Sequence, residues 1–342
     1  MGSSKQNSIS AKPRFAVESY IEGILKKDRV MLSRAITLAE SNLSTDRLLA
    51  EELIQGILPY TGNSIRIGIT GIPGVGKSTF IESFGKYLTS INKKVAVLAV
   101  DPSSQLTKGS ILGDKTRMEE LSKDENAFIR PTSAGIALGG VANNTREAIL
   151  LCEAAGFDVI IVETVGVGQS EAQVRSMVDF FLLLLLGGAG DELQGIKKGI
   201  MEMADAVVIT KADGENLKKA KQAQADFQHA LHLFRAAESG WIPKVLISSA
   251  LEKTGIHEVW SLIDSYQDQM ISKGYFHSQR LGQNIDWFHS SIEGRIKQEI
   301  MNSKSMQKKI KETEKKILSG SINPGTAARD VVQAFIQSLS LN

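Results

Sequence analysis

The stretch 71-GIPGVGKST-79 spaces its glycines and a Lys-Ser-Thr run in a way that suits the gripping of a phosphate chain. Backbone N–H groups of Gly71, Gly74, Val75 and Gly76 can cradle phosphate oxygens, while Lys77 reaches the β and γ phosphates. The Ser78 hydroxyl suits Mg²⁺, and Thr79 continues into a helix whose N-terminal dipole faces the anion. Three acids follow. Asp101 opens DPSS directly after an apolar run, where a carboxylate can hold a metal-bound water or help position the nucleophile. Asp114 lies in the glycine-punctuated 109-GSILGDKTRM-118 and is a candidate metal ligand, since loops that order around a γ-phosphate need such a mix. Glu163 ends VIIV, and Gly166 stands three residues on. That spacing lets the Gly166 N–H sense a γ-phosphate while the acid stays beside the metal. Lys77, Asp101, Glu163 and Gly166 are therefore the catalytic candidates, and Ser78, Asp101, Asp114 and Glu163 the metal candidates.

A second constellation reads a base. In 210-TKADG-214, Asp213 can accept hydrogen bonds from guanine N1 and its 2-amino group, which adenine lacks, and the Lys211 stem can cover the ring. Such a pair rejects the wrong analogue by roughly 10⁴–10⁵. Thr210 stands where an asparagine is usual; its hydroxyl supplies one hydrogen bond but no amide fork, which puts base affinity in question. Ser249, Ala250 and Leu251 follow the run KVLIS and present backbone N–H groups to guanine O6. The expected ligands are GTP, GDP and Mg²⁺. Val167 occupies the place of a water-orienting glutamine, and Gln169 lies too far along to replace it, so hydrolysis is expected to be slow without help in trans.

These groups need a scaffold that brings strand ends together. Six apolar runs supply it: IRIGIT (65–70), VAVLAV (95–100), VIIV (159–162), FFLLLLL (180–186), AVVIT (206–210) and KVLIS (244–248). Continuous runs without alternation imply strands covered on both faces, hence a mostly parallel sheet flanked by helices in an α/β P-loop GTPase domain. Each motif begins within a residue or two of a run's end, where ligands of such sheets bind. Helical periodicity over 14–60 indicates a helical lid or brace. After about residue 276 the amphipathic stripe Phe288, Ile292, Ile296, Ile300 suggests a dimerisation arm. The expected division is 1–62, 63–275 and 276–342.

The 40 basic and 38 acidic residues among 342 leave a net charge of +2, which advertises neither nucleic acid nor membrane. No apolar run reaches a membrane span, the N-terminal residues lack a secretory apolar core, and a cytoplasmic protein is expected. The single cysteine, Cys152, sits in an apolar helical setting and is read as a packing residue.

ITGIPGVGKST, DPSS, GSILGDKTRM, RPTSAGIALGGVANNTREA, ETVGVGQSE and GAGDELQGIKKGIMEMAD together resemble the MeaB/ArgK-like GTPases associated with methylmalonyl-CoA mutase. The resemblance spans nearly the whole chain. It implies a homodimer joined through C-terminal helices. It further implies that GTP binding and hydrolysis gate adenosylcobalamin loading into an acyl-CoA mutase, methylmalonyl-CoA mutase foremost, and protect that enzyme. It also implies that the glycine-rich 187–198, with Asp191, Glu192, Gln194, Lys197 and Lys198, is a switch that signals to the mutase. Two rivals stand beside it: a metallochaperone-type GTPase of the same class, and a GTP-dependent scaffold with negligible turnover.

Overall fold

The computed structural model describes residues 14–41, 43–101, 118–133, 140–164, 170–188, 198–232 and 238–339. Seven strands form one sheet in the order β3-β2-β4-β1-β5-β6-β7, and every pairing is parallel. They are β1 (Ile65–Gly71), β2 (Val95–Asp101), β3 (Ala127–Ser133), β4 (Val159–Thr164), β5 (Phe180–Leu186), β6 (Ala206–Thr210) and β7 (Lys244–Ile247). Six of them coincide with the apolar runs. The seventh, β3, is absent from that reading because Arg130 and Pro131 interrupt its apolar pattern. As the outermost strand it pairs on one side only, a position that tolerates proline.

Alternate residues of the strands bury into opposite faces. Ile67, Val97, Ile161 and Leu182 pack with Phe80, Phe84, Trp260 and Ile263 from the helices Lys77–Ser90 and Ile256–Ser272. Ala96, Leu98, Ile160 and Phe181 pack on the other face with Tyr20, Ile24, Leu32, Ile36 and Leu53 from the helices Val17–Leu25, Arg29–Ala39 and Ser44–Ile57. The N-terminal helices thus complete the core of that face together with the helix Gly140–Ala154. Asp28 caps one of them by accepting from the Val30 and Met31 amides at 2.8 and 3.1 Å. Cys152 lies in the same cluster with no exposure, and burial pushes its thiol well above the ordinary range.

At the sheet end away from the motifs, the helix Tyr275–Asn302, the first of three in the C-terminal part of the chain, is tied in by a buried charge cluster. Arg280 donates to both Asp179 carboxylate oxygens at 2.7 Å and to the Gly62 and Ser64 carbonyls at 2.9 and 2.6 Å. Arg66 forks onto Glu153 at 2.9 and 3.0 Å beside it. Removing one partner from so buried a pair costs about 3–5 kcal/mol, because the other charge stays buried alone. Farther along the same helix, Arg295 contacts Glu51 at 2.6 Å and Arg47 contacts Gln298 at 2.7 Å.

Glu147, on the helix Gly140–Ala154, feels the charges of Glu51, Arg295 and Arg47. Burial and the neighbouring Glu51 push its carboxyl from 4.5 up to about 7, against the pull of Arg295 and Arg47. A folded-state value raised above the unfolded one favours folding at low pH, and that contribution fades as pH rises from 4.5 through 7. Glu147→Gln is therefore expected to melt progressively higher relative to the unaltered protein as pH rises from 5 to 8. Thermal melts across that range check it; a pH-independent difference would contradict the assignment.

Candidate functional site

β1 runs into a loop that turns with Gly74 at φ 82° and Gly76 at φ 94°, conformations L side chains rarely adopt. Gly76 is the N-cap of the helix Lys77–Ser90, so loop amides and the helix N-terminus converge on one spot, a ready anion cradle. Val75 is fully buried and pins the loop to the core. The Lys77 ammonium donates to the Gly71 carbonyl at 2.7 Å and lies 3.3 Å from that of Ile72. Burial pulls its pKa down, while Glu163 and Glu171 oppose the shift. Thr79 is exposed on the first helical turn.

Because β4 lies beside β1 with Ile69 opposite Glu163, the acid arrives next to the loop. The Ser78 hydroxyl donates to Glu163 Oε1 at 3.4 Å, and Glu163 is only 4% exposed. A hydroxyl and a carboxylate oxygen so placed are the hard donors that Mg²⁺ takes, so the residues present fit that ion. One rung farther, the fully buried Thr164 donates its hydroxyl to that of Thr70 at 2.8 Å, tying the two strand ends. β2 flanks β4 with Val100 opposite Thr164, so Asp101, the last residue of β2, reaches the same edge. Asp114, Gly166, Val167, Gln169, Asp191, Glu192, Gln194 and Lys197 lie outside the described residues, as does the side chain of Lys198, which begins the helix Lys198–Met203.

The base constellation assembles at the other side of the loop. Lys211 has a positive φ of 55°, rare for a residue with a side chain, and its ammonium donates to the Gly74 carbonyl at 2.8 Å. Ser249 donates its hydroxyl to Asp213 Oδ2 at 2.6 Å, which fixes the plane of that carboxylate. The Ser249 amide is donated to Thr254 O at 3.0 Å, so its contribution runs through the side chain and not through the backbone N–H expected from sequence. Gly255 closes this loop at φ 75°, where a Cβ would meet Ile247 O at 2.1 Å. Leu251 is 77% exposed beside it.

Thr210, expected to offer guanine one hydrogen bond, makes its contacts within the chain. Its hydroxyl donates to the Val75 carbonyl at 2.7 Å, with Leu185 O at 3.1 Å, and the residue is buried. Sequence reasoning also passed over Glu171, which is 2% exposed and electrostatically coupled to Lys77, and over the Thr70–Thr164 pair. Their only sequence signal is position: Thr70 ends the run before 71-GIPGVGKST-79, and Thr164 directly follows Glu163.

A family model described as methylmalonyl Co-A mutase-associated GTPase MeaB matches residues 32–305. A putative GTPase of Caulobacter vibrioides is 46% identical over 94% of this chain and 99% of its own length. The GTPase ArgK of Escherichia coli is 44% identical over 93% of this chain and 96% of its own. The mouse mitochondrial homologue of the methylmalonic aciduria type A protein is 45% identical, covering 96% of this chain and 81% of its own. Among solved structures, an LAO/AO transport system kinase superposes with a TM-score of 0.74 at 38% identity, over 96% of this chain and all of that one.

Proposed function

Because the chain belongs to the methylmalonyl-CoA mutase-associated GTPase family, and is with it a guanine-nucleotide-binding GTP hydrolase, we propose that its GTP cycle gates adenosylcobalamin loading into an acyl-CoA mutase and protects that enzyme. The observation that carries the proposal is the mutase-associated family model running through residues 32–305, sheet and C-terminal helix included. Methylmalonyl-CoA mutase is the proposed client.

In the proposed reaction, loop amides from Gly71 to Thr79 bind and orient the phosphates, and Lys77 faces the charge that develops at the γ-phosphate. Ser78 and Glu163, with Asp101 and Asp114, would hold Mg²⁺, which when bound neutralises phosphate charge. Gly166 reports the γ-phosphate through its amide. Asp213, oriented by Ser249, accepts from guanine, with Lys211 over the ring and the amides of Ala250 and Leu251 toward O6. The segment around Asp191, Glu192, Gln194, Lys197 and Lys198 carries the nucleotide state to the client.

The proposed organisation is an N-terminal helical extension to residue 62, a GTPase domain over 63–275 and an arm from 276 that forms a homodimer. Support for the dimer lies in apolar side chains left exposed along one helix: Leu281 52%, Ile285 58%, Phe288 59% and Ile296 51%. Among the described residues no helix is long and apolar enough to cross a membrane, and a cytoplasmic location is proposed.

The test adds purified methylmalonyl-CoA mutase to the chain and measures GTP turnover. Val167 leaves the chain without its own water-orienting glutamine, so the rate is expected to rise by about tenfold or more, up to the roughly 10³–10⁵ that groups supplied in trans can contribute. An unchanged rate would refute gating by this client.

A further inference from the structure

We infer that a buried water fastens the helix Tyr275–Asn302 to the GTPase sheet, held between the Nε–H of Arg146 and the side-chain carbonyl of Gln283. The inference is independent of the nucleotide reading above and concerns the seat of the C-terminal helices.

Arg146, on the helix Gly140–Ala154, is only 8% exposed. Its Nη2 donates to the carbonyl and hydroxyl oxygens of Ser176 at 2.9 and 2.8 Å, and its guanidinium lies 5.7 Å from the centre of the Trp287 ring. Gln283 approaches from the helix Tyr275–Asn302 and donates its Nε2 to the Val178 carbonyl at 2.8 Å. Two polar atoms are left over. Arg146 Nε, a donor, and Gln283 Oε1, an acceptor, are both buried without a hydrogen-bond partner among the described residues. Leaving either unpaired is costly. Both residues line one cavity, together with Ser176 and Trp287, and it gives the centre of a water molecule about 20 Å³ of room. One water needs roughly 10–15 Å³ on that measure.

The polarity of the two atoms selects the occupant. Gln283 cannot exchange its amide ends without turning its oxygen on the Val178 carbonyl. The cavity therefore offers one donor and one acceptor, and a water matches both by accepting from Arg146 and donating to Gln283. A small anion suits the guanidinium, whose charge burial and Arg66 disfavour and Asp286 favours. It would, however, meet the Gln283 oxygen with like charge. With the water a ring closes, from the Ser176 carbonyl through Arg146, the water and Gln283 to the Val178 carbonyl. The turn after the helix Ser170–Arg175 is thus gripped from two helices at once.

The test is a high-resolution crystal structure of the full chain from crystals soaked in bromide, with melting temperatures of Arg146→Met, Gln283→Met and the double variant. A peak without anomalous signal is expected about 2.7–3.2 Å from both Arg146 Nε and Gln283 Oε1. The double variant should lose less than the two single shifts added, by about 2 °C, because either substitution alone already breaks the ring. Should a variant fail to fold, the crystal structure decides alone. A bromide peak between the two side chains, a dry cavity, a direct Arg146–Gln283 bond or additive melting shifts would each overturn the inference.

Discussion

Asp213→Asn is expected to exchange guanine for xanthine. The carboxylate offers two acceptors to the N1–H and 2-amino donors of guanine, and the Ser249 hydroxyl at 2.6 Å holds it in one plane. An asparagine in that plane keeps one acceptor and presents an N–H₂ donor where guanine also donates. Xanthine carries an oxygen at that ring position and restores the match. Unpaired polar groups in a built site discriminate by roughly 10⁴–10⁵, so GTP affinity should fall by about that order while XTP gains. Competition titrations with GDP and XDP decide it, and undiminished GDP binding in the variant would remove Asp213 from the base site.

Lys77→Ala carries the second large effect. The ammonium stands at the start of the helix Lys77–Ser90, within reach of loop carbonyls that surround the anion cradle. Burial pulls its pKa down, and the carboxylates of Glu163 and Glu171 counter that shift. Removing one pre-organised charge from a developing transition state costs about 10²–10³ in rate, and single-turnover hydrolysis should slow by at least that factor. Alanine suits a helix, so circular dichroism and the melting temperature should change little. Turnover at the original rate would show that another group does this work.

The most legible part of the fold was the sheet interior. Runs such as FFLLLLL and VIIV, short and without alternation, read as strands covered on both faces, and β5 and β4 are those strands. β3 was not legible, because an edge strand needs no continuous apolar run and this one contains Arg130 and Pro131. The helical periodicity of the N-terminal segment was visible, but its partner was not. Tyr20, Ile24 and Leu32 belong to the same core cluster as Ala96 and Ile160, a fact set by packing over long sequence separations.

In the site, Lys77, Ser78 and Glu163 announce themselves by residue type, local spacing and position at strand ends. Chemistry of that kind is written in consecutive residues, because a loop of a few amides must curl around one phosphate chain. What sequence could not settle was the use of each hydroxyl. Thr210 reads as a weakened base contact, yet it holds a carbonyl 135 positions away. Ser249 reads as a backbone donor, yet its side chain orients Asp213. Sequence by itself determined the kinds of groups, their order and the α/β class. Tertiary structure decided which of them meet, because β1 lies between β4 and β5, and that order brings distant strand ends within one hydrogen bond of each other.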